Sequence, residues 1–97
     1  MLLLDNGMYG TIRMHQEREF PQRVAGSALN NPDFAALATA YGYAGVMVRS
    51  TAAFEPALQA ALDRPGGTVI VMPLNPEVIT TRGTLAAITR QAMALQG

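Results

Sequence analysis

Apolar runs separated by Gly, Pro and Asn divide the chain into short blocks, some with strand-like and some with helix-like spacing. Met1-Leu2-Leu3-Leu4 is halted by Asp5-Asn6-Gly7, the pattern of a strand covered on both faces that ends in a turn. From Tyr9 to Glu19 the residues are mostly polar, with Ile12 and Met14 interspersed, which predicts a weakly amphipathic helix ending before Pro21. Residues 21–30 read as a loop. Asn31-Pro32-Asp33 then gives a helix start, with Asn31 as N-cap, Pro32 at the first position and Asp33 at the positive dipole end. Phe34, Leu37, Ala38 and Tyr41 form the apolar face of that helix, and Gly42 stops it.

Residues 45–49 predict a short strand, and Thr51 a cap for a helix with Phe54, Leu58, Ala61 and Leu62 on one face. Pro56 removes one hydrogen bond early in this helix. Pro65-Gly66-Gly67 breaks the chain before residues 68–72, an apolar and β-branched strand expected at the centre of a sheet. Residues 73–81 read as a loop, followed by a helix carrying Leu85, Ile88, Ala92 and Leu95 on one face. Strands alternating with helices imply right-handed crossovers: an α/β fold, a three-layer sandwich around a mostly parallel sheet, in one domain over residues 1–97. Three strands leave edges to manage, and a strand at residue 1 predicts a fold entered midway, as in a truncated chain.

Composition narrows the function classes. The 7 cations balance the 7 anions, and all the cations are Arg, placed singly from Arg13 to Arg90. No basic stripe exists to follow a phosphate backbone, so nucleic acid is not an expected partner. The absence of Cys excludes disulfides and thiolate chemistry and accords with a reducing compartment. The longest apolar runs are far below the ~20 residues that span a bilayer, and Met1–Leu4 lacks the basic flank of a signal peptide. A cytoplasmic protein with no membrane partner is expected.

Ligands of open α/β sheets bind at the carboxyl ends of strands, where Asp5-Asn6-Gly7-Met8 stands directly before a helix. The free N–H groups of that helix start could hold a phosphate, and the Asn6 side-chain oxygen a hard cation beside it. By itself an Asn-Gly dipeptide is more often an ordinary turn.

Asp5-Asn6-Gly7-Met8-Tyr9-Gly10-Thr11-Ile12-Arg13, continuing through His15-Gln16-Glu17, resembles the Asn-Asn-Gly-x-Tyr-Gly segment of thiamine diphosphate-dependent enzymes of the acetolactate synthase and benzoylformate decarboxylase type. Asn31-Pro32-Asp33-Phe34-Ala35-Ala36-Leu37-Ala38, Tyr41-Gly42 and Phe54-Glu55-Pro56-Ala57-Leu58 resemble the same C-terminal, diphosphate-binding domain, in order along almost the whole chain. The resemblance implies thiamine diphosphate and Mg²⁺ as cofactors. It assigns Asn6 as side-chain metal ligand and the Met8 carbonyl as a second, with Gly7, Tyr9, Gly10 and Thr11 completing the diphosphate segment. It places Ile12 toward the reactive ring and the substrate, where an apolar residue supplies no proton. Asp5 departs from the usual first Asn and adds a negative charge.

No Gly-Asp-Gly occurs, so the Asp metal ligand of the family motif is missing. The family's catalytic Glu lies on another domain of a neighbouring subunit, so this chain has no catalytic residue by the resemblance. Weak cofactor binding and no turnover by the isolated chain are therefore expected, the parent chemistry being decarboxylation of a 2-oxo acid and transfer of the acyl unit. The competing reading is a non-enzymatic α/β module that self-associates through its first strand, and a homo-oligomer is expected either way. His15 and the Arg13, Arg18, Arg23, Glu17, Glu19 set read as a solvated helix surface, Met14, Met47, Met72 and Met93 as core fillers, and Thr80-Thr81-Arg82 as a cap for the last helix.

Overall fold

Strand β3 (Thr68–Pro73) is hydrogen-bonded along both edges in the computed structural model, which describes residues 1–96. β1 (Leu2–Asp5) runs parallel to it on one side, with Leu2 opposite Ile70 and Asp5 opposite Pro73. β2 (Ala44–Met47) runs parallel on the other, with Ala44 opposite Thr68 and Val46 opposite Ile70. The β-branched run therefore occupies the centre, as its composition predicts, and Ile70 and Val71 are the largest fully buried side chains.

The contacts group into two units. The first comprises residues Met1–Asp5 and Asn31–Pro73: the sheet with α2 (Phe34–Ala40) and α3 (Thr51–Asp63). Alternation along the strands sends Leu3 and Val69 to one face, where Phe34, Leu37 and Ala38 of α2 lie beside them. Ala44, Val46 and Thr68 point to the other face, beside Ala57, Ala60 and Ala61 of α3. Helices on both faces make the expected three-layer α/β arrangement. Gly45 is required by the first of these packings, because a Cβ there would lie 2.6 Å from the Ala35 carbonyl carbon and closer still to its oxygen.

Several local expectations are corrected. Met1–Leu4 is not covered on both faces: Leu2 and Leu4 are 49% and 62% exposed, since α3 sits on the β2 side of the sheet and does not reach the β1 edge. The N-cap of α2 is Asp33, whose carboxylate accepts from the Ala36 N–H at 3.1 Å, while Asn31 donates to the Asp5 carboxylate at 2.8 Å. Ser50 rather than Thr51 caps α3, accepting from the Ala53 N–H at 3.2 Å. Leu62 is exposed despite its helical spacing.

The second unit comprises Asn6–Asn30 and the segment from Leu74 onward, with α1 (Gly10–Glu19), β4 (Val78–Thr80), β5 (Gly83–Thr84) and α4 (Leu85–Gln96). β4 and β5 form an antiparallel hairpin where a loop is expected, because Val78-Ile79-Thr80 is too short a β-branched run to stand out among Pro and Asn. Met47 and Met93 are exposed rather than filling the core, Met93 because it falls off the Leu85, Ile88, Ala92 stripe. Leu95, assigned to that stripe, is also open.

Glu17 is the one buried side chain of α1, not a member of a solvated surface. Its carboxylate accepts from the Gln22 N–H at 3.1 Å and from the Thr89 hydroxyl of α4 at 2.7 Å, with Arg13 Nε 4.0 Å away. Burial alone would raise the Glu17 pKa, but these two hydrogen bonds and the Arg13 charge together hold it below the ordinary 4.5. A carboxyl with a depressed folded pKa stabilises the fold above its unfolded pKa, and that gain is lost as pH falls through the folded value. Glu17→Gln should cost about 1–3 kcal/mol at neutral pH in urea denaturation, with the difference from the unsubstituted chain shrinking below pH 4.5. Gly45→Ala should lower stability by about 1–3 kcal/mol, through displacement of α2, read as a drop in thermal midpoint.

Candidate functional site

The chain leaves β1 at Asp5 and turns through Asn6-Gly7 into α1. Gly7 has φ +71°, a conformation that side chains disfavour, and the Asn6 Oδ1 accepts from the Met8 N–H at 3.3 Å to close the turn. Residues 27–29 hold the segment from the other side. The Tyr9 N–H donates to the Ser27 carbonyl at 2.8 Å and the Leu29 N–H to the Gly7 carbonyl at 2.9 Å, around a bridge of Met8 with Ala28. Met8 is buried, and Arg13 Nη1 lies 3.7 Å from its sulfur.

α1 then begins with its backbone donors unclaimed by any side chain. The Tyr9 carbonyl accepts from the Arg13 N–H at 2.9 Å, so Tyr9 is the N-cap, yet its side chain makes no capping bond. The N–H groups of Gly10, Thr11 and Ile12 have no intrahelical carbonyl to bond, as in every first turn. Side chains meet this need in the other helices: Asp33 in α2, Ser50 in α3, and Glu77 with Thr84 in α4, whose oxygens accept from Ala86 at 3.0 Å and Ala87 at 3.1 Å. Thr80-Thr81-Arg82 is thus not the cap of α4; Thr80 instead accepts from the Arg82 N–H. No acidic residue occupies the first turn of α1, so its positive end is available to an outside anion.

Gly10 lets two side chains approach that end closely. A Cβ there would fall 2.6 Å from Ile79 Cδ1 and 2.8 Å from Asn6 Nδ2. Nothing in the local pattern places Ile79 of β4 here, since residues 73–81 carry loop-like features. Tyr9 and Ile12 are about half exposed, and Thr11 is exposed. The seven predicted residues Asn6, Gly7, Met8, Tyr9, Gly10, Thr11 and Ile12 thus form one continuous turn and helix start, with Asn6, Gly10 and Ile79 in close approach.

The donor set suits a diphosphate better than a cation. Asn6 Oδ1 and the Met8 carbonyl are neutral oxygens, and no group of three or more His, Cys, Asp or Glu that could hold a metal occurs among the described residues. Mg²⁺ prefers a nearly complete octahedron that includes a carboxylate or phosphate oxygen. These two ligands fit Mg²⁺ only in company with an anion. His15 is exposed, 3.5 Å from Arg18 Nη1, as expected for a solvated residue.

Comparison with known proteins identifies the family. The thiamine pyrophosphate enzyme C-terminal TPP binding domain matches residues 1–72. The catabolic acetolactate synthase of Raoultella terrigena is 33% identical over 75 residues, which cover 77% of this chain and 13% of that enzyme. No solved structure matches. With residues 1–72 of its 97 inside the family's boundaries, the chain belongs to the C-terminal TPP binding domains of thiamine pyrophosphate enzymes.

Proposed function

We propose that Asn6–Ile12 is this chain's contribution to a thiamine diphosphate site of an acetolactate synthase-like enzyme. The N-terminus of α1 carries the reading: among the described residues its N-cap side chain makes no capping bond, whereas side chains accept from the first turns of α2, α3 and α4. The Gly10, Thr11 and Ile12 N–H groups would hold the diphosphate, whose negative charge the helix dipole favours. Asn6 Oδ1 and the Met8 carbonyl are the oxygens offered to Mg²⁺, and Gly7 gives the turn that presents them. When bound, thiamine diphosphate supplies the electron sink for decarboxylation of a 2-oxo acid and transfer of its acyl unit. Ile12 contributes an apolar, proton-free surface beside it. With no Gly-Asp-Gly in the sequence, the chain alone holds the cofactor weakly and does not turn over. A cytoplasmic location accords with this reading; among the described residues no helix is long and apolar enough to cross a membrane.

Calorimetric titration of the 97-residue chain with thiamine diphosphate and Mg²⁺ should give a dissociation constant of ~1 mM or weaker. Micromolar, Mg²⁺-dependent binding abolished by Asn6→Ala would overturn the weak-site reading. Amide shifts in a heteronuclear NMR titration should concentrate at Gly10, Thr11 and Ile12 and vanish in Gly10→Val. Shifts clustered elsewhere would overturn the placement.

A second reading, self-association of a non-enzymatic module, has its own support in β1. This strand lies at a sheet edge with Leu2 and Leu4 exposed, a template for a second chain. Sedimentation velocity should show a concentration-dependent dimer that Leu2→Lys/Leu4→Lys converts to monomer; a monomer at all concentrations in the unsubstituted chain sinks this reading and the homo-oligomer with it.

A further inference from the structure

The second unit contains a cleft of about 330 Å³ to which Arg18 of α1, Thr80 and Arg82 of the β4–β5 hairpin, and Ile88, Ala92 and Leu95 of α4 contribute. Its chemistry divides in two. No Asp or Glu lines it, although two arginines, Arg18 and Arg82, do. Among the described residues the acid-base pair is Arg13 with Glu17, so neither Arg18 nor Arg82 has a carboxylate partner. Arg18 meets His15 at 3.5 Å through one nitrogen, leaving donors on the other. The Thr80 oxygen accepts from the Arg82 N–H at 3.3 Å, which leaves its hydroxyl proton free to donate. Ile88, Ala92 and Leu95 follow at helical spacing as an apolar wall, and Leu95 is 84% exposed.

We propose that this cleft is a second binding site, for a small molecule with a carboxylate or phosphate head and a short apolar body. Two like charges at one cleft repel unless an anion lies between them, and the planar guanidinium fork matches the oxygens of both head groups. The apolar body lies along the wall of Ile88, Ala92 and Leu95 and covers above all Leu95, which water otherwise wets. The volume is at the lower end of that of small-molecule pockets, which restricts the occupant to a compact ligand. The proposal does not depend on Asn6–Ile12 or on thiamine diphosphate, since none of those residues lines the cleft.

Methyl NMR of the 97-residue chain, titrated separately with hexanoate, hexyl phosphate and 1-hexanol, tests it. Saturable shifts at Ile88, Ala92 and Leu95 are expected with at least one of the two anions, and the stronger of these identifies the head group. The Arg18→Gln/Arg82→Gln variant should bind that anion about tenfold more weakly. Raising NaCl from ~20 to ~200 mM should weaken the anion's binding to the unsubstituted chain and leave hexanol unaffected. The proposal is overturned if hexanol binds as tightly as the anions, if neither anion saturates, or if binding is indifferent to both salt and the double substitution.

Discussion

The ladder that β3 makes on both of its edges fixes where the rest of the first unit begins and ends. Asp5 is the last residue of β1 and stands opposite Pro73, the last residue of β3. Both strands end at that pair, and the chain turns at the next residues, Asn6 and Gly7. On the opposite edge the same register brings Gly45 beside Val69, and the close approach of α2 to the sheet becomes possible because Gly45 has no side chain. The position of the candidate site along the chain is thus a consequence of strand pairing as much as of the motif itself.

Helix α1 is held by polar rather than apolar contacts. Its residues are mostly hydrophilic, and the side chain it buries is a carboxylate satisfied by Gln22 and Thr89. An apolar stripe would bury large side chains along the whole length of the helix, whereas a single satisfied anion near its C-terminal half leaves Thr11 and Ile12 of the first turn exposed. A net of charge-assisted hydrogen bonds is worth about 1.5–3 kcal/mol each, enough to fix a ten-residue helix that would be unstable alone. Anchoring at one end and openness at the other are complementary features of the same short element.

Much of this was legible in the sequence for identifiable reasons. The β-branched run at residues 68–72 could only be a central strand, and Asp5 to Ile12 announced both the turn and the family to which the chain belongs. Burial of Glu17 was not legible, because its partners are a backbone N–H five residues on and a hydroxyl 72 residues away. The α2 cap shifted from Asn31 to Asp33 because Asn31 is occupied by Asp5, a contact across 26 residues. Ile79 likewise approaches Gly10 from a segment whose Pro and Asn content reads as loop. Local chemistry foretold the helices and the parallel strands but not the β4–β5 hairpin, and long-range pairing decided which competing local partner was used.

The same logic bears on the cation. Asn6 Oδ1 already accepts the Met8 N–H that shapes the turn, but a carbonyl oxygen has a second lone pair, so turn formation and metal ligation are compatible at one atom. Two neutral oxygens cannot replace most of the hydration shell of Mg²⁺, whereas a diphosphate brings both charge and oxygens. In the proposed site the two ligands are therefore thermodynamically linked: each raises the affinity of the other by the same factor.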